Sequence, residues 1–162
     1  VQASWLCADE WAVRGCLLLL LLLLRGKPEV SSGAKLIEAA KAGDTARFSR
    51  LLSTSGTDST VVHHSDSYGR TALEWAAERG SKEVVELLLS KGADIHHTDG
   101  GDYTALMLAA WYGHKEVVEL LLSSYASVST ENVVGKTALD LTATTDAVRQ
   151  LLQQVTYAGT RS

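Results

Sequence analysis

The residues of this chain best suited to chemistry are histidines and carboxylates that return at a fixed interval. His63-His64 and His96-His97 lie 33 residues apart, and so do the pairs Glu83/Glu86 and Glu116/Glu119. Paired histidines can begin a zinc site, but such a site needs three or four ligands converging about 2 Å from one ion. The flanking positions supply few further ligands, and the two pairs fall on successive copies of one unit, too far apart to converge. They read as exposed contacts whose charge follows pH, and no metal is expected. Glutamates three apart could divide acid and base roles, yet on a helix with Lys82 and Lys115 beside them they read as a solvated face. Cys7 and Cys16 sit outside the repeating region, without the Cys/His spacing of a zinc site or a thiol nucleophile. Gly100-Gly101 does not open a phosphate-cradling motif, and no Gly-x-x-x-x-Gly-Lys-Ser/Thr segment exists. Neither a catalytic residue nor a cofactor is expected.

Composition narrows the remaining classes. The chain has 162 residues, 46% of them hydrophobic, and a formal net charge of −4. Its 15 Lys and Arg residues are scattered, so the basic stripe that nucleic-acid binding needs is missing. With Pro28 as the single proline, everything from residue 33 onward is free to be helical. Two cysteines that cannot staple the repeats favour a reducing compartment, hence a cytoplasmic protein. Leu17 to Leu24 form an unbroken run, but Arg14, Glu10 and Asp9 precede it closely. The apolar stretch falls short of the roughly 18 residues of a membrane span. It has the length of a signal-peptide apolar region with Arg14 as its positive charge, although acidic residues lie upstream and no small-x-small cleavage site follows. Residues 1–33 are therefore read as an extension outside the fold, with targeting or membrane attachment through the leucines as the alternative. The first residue is not Met, which raises a second alternative: a regulatory piece of a larger enzyme or membrane-associated protein.

The elements that position these groups follow from Thr-Ala-Leu, found at 71–73, 104–106 and 137–139. A fixed period of this length means stacked supersecondary units. An earlier copy from Leu36 matches Leu73 onward at an offset of 37, so it carries four extra residues near 53–60, of loop composition. Leu73, Ala76 and Ala77 line one face of a short first helix that Gly80 ends. Ser81 is placed to cap a second helix whose apolar side is Val84, Val85, Leu87, Leu88 and Leu89. Gly92 follows where a residue of positive φ is wanted. The alanine pairs Ala39-Ala40, Ala76-Ala77 and Ala109-Ala110 would let neighbouring helices approach closely. No unit buries its own leucine face, so stability must come from its neighbours.

Gly113-His114-Lys115-Glu116-Val117-Val118-Glu119-Leu120-Leu121-Leu122 and Gly92-Ala93-Asp94, in register with the Thr-Ala-Leu copies, resemble the ankyrin repeat over about three quarters of the chain. The resemblance implies an all-α solenoid of stacked helix–turn–helix units with projecting hairpin-like fingers. The domain would span 34–157 in units of about 34–66, 67–99, 100–132 and 133–157, with 158–162 as a tail. Departures from the family pattern carry expectations of their own. Ala72, Ala105 and Ala138 replace its proline, and Glu74, Met107 and Asp140 replace its histidine, so the bonds that histidine makes between units are not expected and stability should be modest. Tyr125 stands where Gly92 stands one unit earlier, and a non-glycine residue at positive φ costs about 1 kcal/mol or more, so a rearranged loop is expected there. Gln150, Gln153 and Gln154 suit a terminal cap facing water.

The resemblance also places the variable positions of fingers and first helices on the concave face, where such stacks meet a protein or peptide. Carried over, these are Tyr68, Arg70, Trp75 and Arg79 in the second unit and Tyr103, Leu108, Trp111 and Tyr112 in the third. Aromatic residues carry a disproportionate share of binding energy, a few anchors contributing about 2 kcal/mol or more each. Trp75, Trp111 and Tyr112 are the expected centre. Tyr68 and Tyr103 are the first candidates for the alternative role of packing between fingers.

Overall fold

A computed structural model describes residues 31–54, 59–142 and 145–159. The leucine run, both cysteines and the middle of the four-residue insertion lie outside these residues. The described residues belong to one compact unit, Ser31–Ser162. Its helices are α1 (Ser32–Ala42), α2 (Thr45–Thr54), α3 (Ala72–Arg79), α4 (Lys82–Ser90), α5 (Ala105–Tyr112), α6 (Lys115–Ser123), α7 (Ala138–Leu141) and α8 (Asp146–Gly159), with a 3₁₀ turn at Ser59–Val61. The last helix thus continues past residue 157, into the stretch read as a tail. Among the described residues no helix is long and apolar enough to cross a membrane.

First helices pack on first helices in chain order, α1 on α3, α3 on α5 and α5 on α7; second helices α2, α4, α6 and α8 form a parallel row. Ala39, Ala40, Ala76, Ala77, Ala109 and Ala110 are fully buried where first helices meet. Without a side chain beyond Cβ they permit the close approach that larger residues would block. Val84, Val85 and Leu88, then Val117, Val118 and Leu121, then Val148 and Leu152 continue the core through the second row. The stack fades at its end, where α7 has a single turn and Gln150, Gln153 and Gln154 face solvent.

Caps repeat with the units. Thr104 Oγ1 accepts from Met107 N, while Thr71 and Thr137 exchange bonds with Glu74 and Asp140 three residues on. Ser81 occupies the start of α4, but its side chain makes no capping bond; its carbonyl accepts from Val84 N and Val85 N. After α4, Gly92 has φ 79° and Ala93 N donates to Leu88 O at 3.0 Å. After α6, Tyr125 has φ 66° and Ala126 N donates to Leu121 O at 3.0 Å. The loop is therefore not rearranged. The capping geometry is kept and Tyr125 absorbs the steric cost of the left-handed region, its ring 89% exposed. Tyr125→Gly should accordingly raise the unfolding free energy by about 0.5–1 kcal/mol, the relief of strain exceeding the entropy glycine adds to the unfolded chain. Urea midpoints of the two proteins check this, and a lower midpoint for the glycine variant would overturn it.

Candidate partner-binding face

Each finger is built around one polar residue at a 33-residue interval: Asp66, Asp99 and Asn132. Asp66 Oδ1 accepts from Tyr68 N and Arg70 N, closing a tight turn, and Asp99 and Asn132 repeat this with Gly101 N and Tyr103 N, then Val134 N and Lys136 N. Neighbouring fingers are joined by main-chain bonds from Gly100 N to Tyr68 O at 3.0 Å and from Val133 N to Gly101 O at 3.3 Å. The loops thus form a bonded row in front of the first helices.

Behind the first fingers lies a charged clamp. Trp75 Nε1 donates to Asp66 Oδ2 at 3.0 Å, and Lys41 Nζ reaches the same oxygen at 3.0 Å. Lys41 Nζ also lies 4.3 Å from the centre of the Trp75 ring, with the Arg70 guanidinium carbon at 4.9 Å, so two cations stand over the indole. Arg70 Nε donates to Asp99 Oδ2 at 2.9 Å and Nη1 to Glu78 Oε2 at 2.6 Å. Burial by itself would raise the Asp66 pKa; the bonds from Lys41, Tyr68 N, Arg70 N and Trp75 outweigh it and hold the carboxyl below its ordinary value. For Arg70, burial opposes the charge, but Asp99 and Glu78 more than restore it and raise the pKa.

Glu74, at the position of the family's histidine, is buried at the start of α3 and lies with Oε1 2.9 Å from His97 Nδ1 of the following finger. Burial pushes its carboxyl above the ordinary glutamate value, against the bonds from His97 and Thr71. A link between finger and first helix therefore exists in this unit with the partners reversed, contrary to the expectation from the missing histidine. His97 is consequently half-buried and paired, while His63, His64 and His96 are exposed. Among the described residues no three His, Cys, Asp or Glu side chains gather as a metal site.

The outer surface is aromatic. Tyr103 and Trp111 have ring centres 5.7 Å apart, Trp111 and Tyr112 6.3 Å, and Tyr112 and His114 6.4 Å with planes 12° apart. The ladder is anchored by His114, whose Nε2 donates to Glu78 O at 2.9 Å. That imidazole lies against Gly80, where a Cβ would come within 2.5 Å of the ring, so only glycine fits. Trp111 and Tyr112 are 44% and 54% exposed.

Of the eight positions expected on this face, Tyr68, Arg79, Trp111 and Tyr112 are exposed, and Tyr103 is half-buried against Trp111. Three expectations are corrected. Leu108 is 2% exposed, buried like every other residue from Ala105 to Ala110. Trp75 and Arg70 are half-buried parts of the clamp, held by partners on other elements, although they edge a cavity of about 680 Å³ with Tyr68 and Gly100. Tyr68 does not pack between fingers; its side chain points to solvent while its carbonyl makes the interfinger bond. Lys41, Asp66, Asp99 and His114 were not among the expected site residues. The recurrence of Asp66 and Asp99 in register was the available signal, whereas Lys41 lies in the first helix of the previous unit, where no local pattern marks it.

Paired helices stacked in two rows behind bonded fingers define a repeat solenoid, a class of binding scaffold. A family model described as ankyrin repeats, in three copies, matches residues 10–99 and 36–132. The match covers more than half of the chain, and the protein belongs to the ankyrin repeat family. Ankyrin repeats are generally protein–protein interaction modules, and the family is typically non-catalytic. No match is found among curated proteins.

Proposed function

We propose that the protein is a non-catalytic interaction module that binds a protein or peptide through the exposed aromatic ladder of the third unit, with Tyr68 and Arg79 extending the surface across the second. The observation that supports this most is the joint exposure of Trp111 and Tyr112 beside fixed fingers. Large aromatic side chains held half out of the fold offer contact area at small entropic cost on binding. Lys41 and Arg70, the cations beside Trp75, are already engaged by Asp66, Asp99 and Glu78, so next to the rings a partner would meet a clamp whose charge is already neutralised. This favours polypeptide over nucleic acid. Trp111→Ala with Tyr112→Ala should weaken any partner captured by the wild-type chain by about 1,000-fold, from two anchors of about 2 kcal/mol each. Titration calorimetry of the captured partner measures this. Undiminished affinity in a double variant that keeps its helical circular dichroism and urea midpoint would remove the ladder from the interface.

A further inference from the structure

The row of fingers repeats one main-chain bond and then stops. Gly100 N donates to Tyr68 O at 3.0 Å, and Val133 N, 33 residues on, donates to Gly101 O at 3.3 Å. The next carbonyl in this register is Val134 O. Its finger keeps the conformation of the two before it. Asn132 N donates to Lys136 O at 3.0 Å, as Asp99 N does to Tyr103 O at 3.1 Å and Asp66 N to Arg70 O at 2.9 Å. A left-handed residue closes each turn, with φ 76° at Gly69, 56° at Asp102 and 73° at Gly135. Val134 O therefore points away from the second finger, as Gly101 O points toward the third, and it accepts no hydrogen bond among the described residues. Val133 and Val134 are 66% and 67% exposed. The matching positions are Ser67-Tyr68 in the first finger and Gly100-Gly101 in the second. The end of a bonded row is commonly blunted by charge, proline or a covering element. Here two β-branched apolar residues, suited to extended pairing, flank the open carbonyl.

The helix rows behind the fingers end differently. Gln150, Gln153 and Gln154 face solvent on α8, and α7 is a single turn with Asp140 exposed. That polar end invites no further helix pair, so what continues the finger row comes without helices behind it. A second copy does not qualify. Its donor in register is Ser67 N, and placing that finger beside Val134 would drive its own α1, one place earlier in the stack than α3, into the position of α7.

We propose that the third finger is a docking edge for an extended segment of a partner protein. The segment donates one main-chain N–H to Val134 O and lays aliphatic side chains against Val133 and Val134, continuing the bond that already joins the fingers. This goes beyond the aromatic ladder and does not depend on it: the ladder offers ring surface, whereas the edge reads the main chain.

The test uses the full chain labelled with ¹³C and ¹⁵N and two blocked heptapeptides as probes. One alternates valine and threonine between terminal lysines; the other has the same sequence with its valine amides N-methylated, which keeps the side chains and removes those donors. The first should move the Val134 carbonyl and Gly135 amide signals saturably, and the N-methylated twin should bind about fivefold more weakly. This comparison is made on the wild-type chain and needs no variant to fold. Val133→Gly with Val134→Gly reproduces the tip of the second finger and should weaken the first probe by about tenfold. Equal binding of the two probes overturns the edge. So does undiminished binding by a glycine variant that keeps its urea midpoint, or a saturable response at Trp111 and Tyr112 with Val134 unmoved.

Discussion

Leu108→Ala is expected to lower the unfolding free energy by about 2–5 kcal/mol, the range for deleting a buried leucine side chain. Leu108 is 2% exposed in the central first helix, with α3 on one side and α7 on the other. The cavity left behind would open in the middle of the array, where both neighbouring interfaces depend on the same helix and stability is close to a sum over such interfaces. Trp111→Ala, three residues further along α5, removes a larger side chain but from the exposed face, and its cost should be well below that of Leu108→Ala. Urea denaturation of the two variants makes the comparison. A loss under about 0.5 kcal/mol for Leu108→Ala, the range of ordinary surface substitutions, would return the residue to the surface.

Asp66→Ala is expected to cost about 2–3 kcal/mol at neutral pH. The substitution leaves Tyr68 N, Arg70 N and the Trp75 indole without their acceptor and frees Lys41, and unmet donors at a partly buried site each carry a desolvation cost. The half-exposed lysine adds little. Asp66→Asn separates the contributions, because its Oδ1 can still serve the two main-chain donors while its Nδ2 faces Lys41 and Trp75 as a third donor. The pH dependence has a definite sign. Asp66 has a folded-state pKa below its ordinary value of 3.8, so its extra stability is present above 3.8 and lost as pH falls through the lower folded value. The stability difference between wild type and Asp66→Asn should therefore hold at neutral pH and shrink on acidification below 3.8. A difference that grows toward acid would mean that Asp66 is not stabilised as the anion.

The repeat, its helices and the glycines that end them were legible in the chain because they rest on contacts only a few residues long. By contrast, the cap expected at Ser81 makes no side-chain bond, and the threonine caps of the first helices were not foreseen. Thr71, Thr104 and Thr137 start first helices through bonds to the third residue on, and Gly92 ends a helix through its own φ. Tyr125 was legible as a strained position, but not the outcome of the strain. Its place in the stack is fixed by α6 on one side and the following finger on the other, and a cost of about 1 kcal/mol is too small to move them.

The candidate site was legible in part. Trp111 and Tyr112 sit at the end of a first helix, next to the glycine that stops it, and that local position turns them outward. Leu108 shared their variable register but lies one turn back, beneath the next unit. Trp75 and Arg70 read as free surface because their partners are distant in sequence: Lys41 reaches Asp66 across 25 residues and Arg70 reaches Asp99 across 29. The sequence by itself determined the unit, its period and the side chains it repeats. Tertiary structure alone decided which of those side chains are spent on each other, since ion pairs and ring contacts between units depend on how adjacent units stack, a geometry no single unit contains.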